Sequence, residues 1–246
     1  MHNKTTRFIT TIKKSGAGKD KDRKLSIILL NASPGYRMKS YGPKCLLKIN
    51  NNISILEYQI SLLKNTFHNC EVIVTVGFEA DKIFKKHIKD IRFIENQIYD
   101  TTNIVEEIRL ALNNITTEDV LLIHGDVVFN LQSIDSITKT GMSTLVYQEK
   151  NITEDDVGVT IIDNKATILS YGITPKWSHI VYLTGQELAL LKLYCSNREF
   201  VRMYPFEIIN MILEKPQSTI MGINPLNSQI IKIESIKDIK SENSHI

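Results

Sequence analysis

The sequence predicts an α/β fold with a mostly parallel central sheet and helices on both faces. Short apolar runs rich in Ile, Leu and Val, typical of buried strands, alternate with helical patterns at intervals of about 20 residues. The first half contains four such runs separated by three helical segments, which is the pattern of βαβ units. The chain has 246 residues, of which 42% are hydrophobic and 23% charged, so an ordinary globular core is expected.

In the first half, strands are recognised by their apolar runs and two of the helices by their caps. Ser54 and Glu57 form a capping box ahead of one helix, and Asn103 with Glu106 begins another. The remaining helical segment is short and follows the second strand. The predicted strands are residues 25–30, 72–76, 91–94 and 120–123, and the short helix is residues 80–87.

The second half is less regular, and we expect it to build a wall over the sheet. Two of its strands flank Asp163 and Asn164, a pair of turn residues. The predicted strands are residues 158–162, 167–171, 180–183 and 230–233, and the predicted helices begin at Thr184 and span 203–213. We therefore predict one domain, residues 25–246, after a flexible basic segment, residues 1–24.

Net positive charge is concentrated at the start of the chain. Of the 30 basic and 27 acidic residues, much of the basic excess lies in residues 1–24, and the remainder is close to neutral. A nucleic-acid footprint across the folded domain is therefore not expected. The basic segment fits a solvated tail, and contact with a membrane or nucleic acid is the alternative.

Cysteine usage and hydropathy indicate the compartment. The three cysteines form no CxxC pair, which argues against a structural zinc site or a disulfide framework and fits a reducing compartment. No apolar run reaches the roughly 18 residues of a spanning helix, and no signal peptide is recognisable. We expect a cytoplasmic protein without membrane insertion; the pattern leaves the oligomeric state open.

The loop after the first strand carries the first candidate site. Open α/β sheets bind ligands beyond the carboxyl ends of their strands, and the small-residue turn at 32–35 would let backbone N–H groups approach phosphates. Arg37 offers a forked guanidinium and Lys44 a point charge, and two cations suit a triphosphate. On spacing alone, a plain loop with two solvated cations fits equally well.

This loop resembles the nucleotide-binding loop of the sugar-phosphate nucleotidyltransferases, a family with a GT-A-like Rossmann fold. The family pattern is LAAGxGxRM followed by PKxL; this chain has Leu30-Asn31-Ala32-Ser33-Pro34-Gly35-Tyr36-Arg37-Met38 and Pro43-Lys44-Cys45-Leu46. Ser33 replaces the first glycine and Asn31 an alanine. The resemblance implies that Arg37 and Lys44 bind and activate a nucleoside triphosphate. It also implies a nucleotide-binding turn made of Asn31, Ala32, Ser33, Pro34 and Gly35.

Two further elements are similar to the family. Gly77, in Val76-Gly77-Phe78, matches a VxGY-like element at the end of the second strand. Asn96, Tyr99, Thr102 and Asn103 match N-x-x-Y and TNN-x-x-S-L of the choline-phosphate cytidylyltransferase branch, whose serine is Glu106 or Glu107 here. The resemblance implies that Gly77 and Asn103 lie near the nucleotide. Asn103 is also the predicted N-cap, and the two roles are compatible.

The candidate metal ligands that the resemblance implies come from two distant segments. Asp126, in Gly125-Asp126-Val127-Val128-Phe129, resembles the family's GDxxF element, and a carboxylate at the end of a buried strand suits Mg²⁺. A plain turn aspartate is the alternative. In the family's IDxxxDL-like element, Glu234 takes the position of the second ligand and is longer by one methylene. Asp238 is expected to pair with Ser235 as a helix cap.

The acceptor side carries a weaker signal. The aromatic faces of Tyr171, Trp177 and Tyr182, together with Asp155 and Asp156, could hold a quaternary ammonium such as choline, although a lone Trp on a strand-rich wall is more often a packing residue. Lys176 could reach an acceptor phosphate, and Glu207 could face the site or bulk water. The candidate acceptor-binding residues are Tyr171, Lys176, Trp177 and Glu207.

The predicted activity is Mg²⁺-dependent transfer of a nucleotidyl group from a nucleoside triphosphate, with CTP favoured, and release of pyrophosphate. The acceptor is a small phosphorylated molecule, either phosphocholine-like or a sugar 1-phosphate. One alternative is a glycosyltransferase of similar fold that uses a nucleotide-sugar, but His124-Gly125-Asp126 lacks its usual DxD element. The other is a non-catalytic relative, which the Ser33 and Glu234 departures leave open.

Overall fold

The computed structural model describes residues 13–14, 25–35, 38, 41–49, 53–150, 152–235 and 237–239. The predicted flexible segment 1–24 lies outside these residues apart from positions 13–14. The strands are β1 (Lys13–Lys14), β2 (Leu25–Asn31), β3 (Lys48–Ile49), β4 (Ile53–Ser54), β5 (Cys70–Val76), β6 (Arg92–Glu95), β7 (Asp119–His124), β8 (Val127–Phe129), β9 (Thr144–Gln148), β10 (Val157–Ile162), β11 (Lys165–Tyr171), β12 (Lys176–Thr184), β13 (Met221–Ile223) and β14 (Ile230–Lys232). The helices are α1 (Ile55–Thr66), α2 (Ala80–Phe84), α3 (Ile104–Leu112), α4 (Gly185–Ser196) and α5 (Pro205–Leu213).

The first half forms the predicted parallel sheet. Its strands lie in the order β6-β5-β2-β7, and each neighbouring pair is parallel. The connections run through α1, α2 and α3, which are the crossover helices that parallel strands require. The predicted α/β class is confirmed, and the predicted cap of α1 is present, because Ser54 and Glu57 exchange both capping-box bonds.

The two faces of β2 bury different helices. Ile28 and Leu30 belong to a core that includes α3, α4 and α5, whereas Ile27 and Leu29 belong to a core on the other face with α1 and α2. Successive side chains of a strand point to opposite faces, so one strand feeds both layers. Helices on both faces are thereby confirmed. No helix in the described ranges is long and apolar enough to cross a bilayer.

The second half makes the sheet mixed rather than mostly parallel. β12 pairs with β7 in antiparallel fashion, and β10 and β11 form a hairpin whose turn residues, Asp163 and Asn164, have φ of +50° and +61°. A two-residue turn can join only antiparallel strands, so the direction changes where crossover helices stop. β9, which the sequence pattern did not predict, pairs with both β12 and β13 and closes this half on itself.

A small separate ladder brings the last strand to the centre of the molecule. β14 pairs antiparallel with β8, with Lys232 opposite Val127. The next backbone bond runs from the N–H of Ile233 to the carbonyl of Asp126, at 2.8 Å. The residues that follow β14 therefore lie beside the turn that follows β7.

Candidate active site

A cavity of about 490 Å³ lies at the carboxyl edge of the parallel strands. It extends from the loop after β2 to the wall built by β11, β12 and the start of α5. Of the predicted site residues, those that line it are Asn31, Ser33, Gly35, Lys44, Asp126, Tyr171, Trp177 and Glu234. Ligands of open α/β sheets bind at this edge. The loop after β2 and the segments that carry Asp126 and Glu234 therefore meet at the position where a ligand site is expected.

Arg37 lies outside the described residues, and Lys44 is the predicted catalytic cation that the structure places in the site. Its Nζ donates to Oδ2 of Asp126 and to the carbonyl of Ile233, each at 3.1 Å. Burial alone would raise the pKa of Asp126, but the Lys44 ammonium, with smaller contributions from His124 and Lys232, outweighs burial and lowers this pKa. Asp126 is thus held as a carboxylate in the cavity.

Glu234 forms a second lysine–carboxylate pair beside the first. Its Oε1 lies 3.0 Å from Nζ of Lys232, and both side chains line the cavity. The β14–β8 ladder fixes the approach, because Ile233 is bonded to the backbone of Asp126. Asp238 accepts from the backbone N–H and the hydroxyl of Ser235, as predicted for the cap.

The two carboxylates suit a divalent cation that keeps most of its water. Among the described residues, no group of three or more His, Cys, Asp or Glu side chains could hold a metal ion. Mg²⁺ is commonly bound through one or two carboxylates together with substrate phosphates. The oxygen donors of Asp126 and Glu234, flanked by two lysines, fit that mode of binding.

The turn after β2 is held closely by its neighbours. Gly35 has φ +56°, and a Cβ at this position would lie 2.6 Å from Cε of Lys44, so a glycine keeps the turn against the lysine. At Gly125, a Cβ would lie 1.7 Å from the Asn31 amide oxygen. Asn31 therefore occupies the space above the turn that carries Asp126. Pro34 is buried and does not contribute to the cavity lining.

Ala32 is fully buried, and its backbone groups are already bonded. Its N–H donates to Oε2 of Glu107 at 3.0 Å, and its carbonyl accepts from Phe78 at 2.9 Å. Gly77 lies against the same residue, since a Cβ there would come within 2.9 Å of Ala32. Neither Ala32 nor Gly77 lines the cavity, so both support the turn from the side that faces away from the cavity.

Asn103 caps α3. It stands at the predicted N-cap position, and its side-chain oxygen accepts from the N–H of Ile104, the first helical residue, at 2.8 Å, while its amide nitrogen faces the carbonyl of Arg202. Ile104 and Glu107 line the cavity, whereas Asn103 does not. Burial raises the pKa of Glu107 to about 7, and hydrogen bonds from Thr75 and Ala32 limit the rise.

The end of the cavity that carries the candidate acceptor-binding residues Tyr171 and Trp177 is aromatic. The Tyr171 ring meets the Phe206 ring edge-on at 5.2 Å, and Tyr204 stacks on Phe206 at 6.0 Å, with Asp155 on the same lining. Lys176 and Glu207 lie off this lining. Lys176 pairs with Asp156 at 2.5 Å, and Glu207 accepts from the N–H of Tyr204 at 2.7 Å.

Two histidines that sequence reasoning did not select complete the aromatic wall. The ring of His179 lies 4.6 Å from those of His124 and Trp177. Burial lowers the pKa of His124 to about 4 and that of His179 well below its usual value, so both rings are neutral at pH 7. His179 has φ +58° at a register shift of β12 between Trp177 and Val181. The sequence carries no signal for this bulge.

Solved structures of nucleotidyltransferases share this fold. A CTP:phosphocholine cytidylyltransferase from Streptococcus pneumoniae superposes with a TM-score of 0.72 at 19% identity, over 90% of this chain and 98% of that one. An inositol-1-phosphate CTP transferase from T. maritima gives 0.68 at 15%, over 91% and 97%. An apo UDP-glucose pyrophosphorylase gives 0.72 at 10%, over 90% and 97%.

At the level of sequence, no family model matches the chain, and no curated protein does. The structural likeness covers nearly the whole of each neighbour, including the half that forms the aromatic wall. The fold implied by the loop motifs is therefore confirmed: the chain has the fold of these solved nucleotidyltransferase structures.

Proposed function

We propose that this protein transfers a nucleotidyl group from a nucleoside triphosphate, with CTP favoured, to a small phosphorylated acceptor. The observation that carries the proposal is the meeting of Lys44, Asp126 and Glu234 on one cavity at the carboxyl edge of the parallel strands. These residues come from three segments that are distant in sequence. In phosphoryl-transfer sites a lysine neutralises charge on the triphosphate, and carboxylates bind the divalent metal.

In the proposed reaction, a phosphate oxygen of the acceptor attacks the α-phosphorus in line. The bond from the α-phosphorus to the bridging oxygen breaks, and pyrophosphate leaves with that electron pair. Lys44, together with Arg37, binds the triphosphate and neutralises charge on it. No covalent enzyme intermediate is needed, so the residues act by positioning and electrostatics.

Asp126 and Glu234 would hold Mg²⁺, which when bound neutralises phosphate charge. Both are oxygen donors, and the ladder between β14 and β8 brings their backbones together. Each carboxylate is paired with a lysine, Asp126 with Lys44 and Glu234 with Lys232, and all four side chains line the cavity. This pairing supports the assignment of Glu234 in spite of its extra methylene.

The acceptor end supports a phosphocholine-like substrate. Its wall consists of aromatic rings and two neutral histidines, with the Asp155 carboxylate on the same lining. Aromatic faces attract quaternary ammonium groups, and neutral imidazoles do not repel them. A sugar 1-phosphate is the other acceptor class, and it needs hydrogen-bonding partners more than aromatic faces.

The test is pyrophosphate release by the purified chain with Mg²⁺, using each common nucleoside triphosphate against phosphocholine and several sugar 1-phosphates. We expect the highest rate with CTP and phosphocholine. Activity confined to a sugar 1-phosphate would contradict the acceptor assignment. Folded protein that releases no pyrophosphate with any pair would contradict the activity itself, and nucleotide release from a nucleotide-sugar would favour a glycosyltransferase.

A further inference from the structure

Two adjacent buried glutamates on α3 have different partners. Glu106 and Glu107 are each 2% exposed. Glu106 receives two bonds of 2.7 Å from Arg109 and a third contact from Arg198 at 3.2 Å, so its charge is neutralised by cations. Glu107 has no salt bridge within the described part of the chain, and its bonds go instead to the neighbourhood of the turn after β2.

Glu107 organises the point at which β2 ends. Its Oε2 accepts from the N–H of Ala32 at 3.0 Å and from the hydroxyl of Thr75 at 2.6 Å. The Thr75 oxygen in turn accepts from the N–H of Asn31 at 3.0 Å. The Glu107 carboxyl group, which reaches across from α3, thus accepts the N–H of Ala32 directly. It also accepts from the Thr75 hydroxyl, whose oxygen accepts the preceding N–H, that of Asn31.

This contact fixes the direction in which the turn leaves the sheet. Ala32 is fully buried, so an unpaired N–H there would be costly. With its carbonyl bonded to Phe78 as well, Ala32 is a fixed point, and Ser33 and Gly35 follow it on the cavity lining. The Ala32 N–H is also no longer available to a phosphate.

We infer that Glu107 is a positioning residue for the triphosphate-binding turn, acting by holding the Ala32 N–H. The inference rests on the proposed function for its effect on nucleotide binding, and on the contacts alone for its effect on the turn. The long side chain matters because the acceptor oxygen must cross from α3 to β2. Glutamine retains such an oxygen and alanine does not.

Glu106 provides a matched control. It is equally buried and lies one residue away on the same helix, and its partners, Arg109 and Arg198, are not residues of the turn. Its replacement disturbs the packing of α3 without removing a bond to residues 31–35. A general weakening of the helix can therefore be separated from loss of the turn contact.

The experiment compares E107A, E107Q and E106A by amide hydrogen exchange over residues 31–35 and by direct titration with a non-hydrolysable CTP analogue and Mg²⁺. We expect E107A to speed exchange in the turn and to weaken triphosphate binding, each about tenfold, the effect of losing one buried hydrogen bond. Pyrophosphate assays should show the change in the KM for CTP, with the acceptor KM within about twofold of wild type. E107Q should restore both turn exchange and CTP binding to within about threefold.

E106A should lower the melting temperature while leaving turn exchange and the CTP affinity at the wild-type level. Folded E107A with unchanged turn exchange would overturn the inference, as would an equal effect of E106A on the turn. Wild-type protein that binds no triphosphate would contradict the proposed function instead. In that case the exchange data still decide whether Glu107 holds the turn.

Discussion

The two ends of the cavity are built by different means. The nucleotide end lies at the carboxyl edge of parallel strands and presents charged groups, Lys44, Asp126 and Glu234, on short turns. The acceptor end lies on antiparallel strands and presents aromatic rings and neutral histidines. In the proposed reaction, the first end contributes charge that is fixed in place, and the second end recognises the acceptor through aromatic faces and neutral rings.

The largest effect should come from removing charge at the nucleotide end. We expect D126N to lower kcat/KM by on the order of 10²–10³, the scale for loss of one pre-organised electrostatic group. Pyrophosphate release measures it. The matched control is D156N, because Asp156 also pairs with a lysine but lies off the cavity lining. Equal losses in both variants would contradict a special role for Asp126.

The second carboxylate should tolerate a change of length but not loss of charge. We expect E234Q to lower kcat by roughly 10- to 100-fold and to raise the Mg²⁺ concentration at half-maximal rate, since a metal ligand is lost. E234D keeps the carboxylate and should stay within about tenfold of wild type. A Mg²⁺ dependence that E234Q leaves unchanged would show that Glu234 is not a ligand.

A substitution at the acceptor end should change the KM of the acceptor and not that of the nucleotide. We expect Y171A to raise the KM for phosphocholine by about 3- to 30-fold, the worth of one cation–π contact, and to leave the KM for CTP unchanged. Ile168 on the same strand is 50% exposed and does not line the cavity, so I168A serves as the control. An equal change in both KM values for Y171A would mean that the two ends are not separable.

The smallest expected effect is on the pH dependence of the unfolding free energy, which should differ in sign between the two ends. The folded-state pKa of Glu107 is about 7, above its unfolded value, so its contribution to stability is fully present below pH 4.5 and is lost as pH rises to 7. The pKa of His179 is lowered, so its contribution is present above pH 6.5 and is lost as pH falls. Relative to E107Q, wild-type unfolding free energy should therefore decrease with rising pH, and relative to H179F it should increase. Urea unfolding between pH 5 and 8 measures both slopes, and slopes of the same sign would contradict the assignment.

The nucleotide end could be predicted from sequence because its signals are local. Lys44 and Asp126 each stand in a short motif at a strand end, and parallel topology brings strand ends together. The β14–β8 pairing that brings in Glu234 is long-range, and only the resemblance to a known family pointed to it. Glu107 was visible as a departure from that pattern, but its partners at positions 32 and 75 were not.

The acceptor end was less predictable because it depends on strand faces and a bulge. Lys176 and Trp177 are neighbours in sequence, yet successive strand residues point to opposite faces, so Trp177 lines the cavity and Lys176 does not. His179 reaches the wall at a register shift with a left-handed backbone, a feature that no composition pattern marks. The spacing of aromatic residues could locate the wall in the sequence, but it could not show which residues of β12 face the cavity.

The most direct test of the account is a crystal structure of the protein with a non-hydrolysable CTP analogue and Mg²⁺. We predict that the triphosphate lies between the turn at residues 33–35 and Lys44, with the metal bound to Asp126 and Glu234. A triphosphate bound elsewhere, or a metal that neither carboxylate contacts, would contradict the central claim that these distant segments form one site.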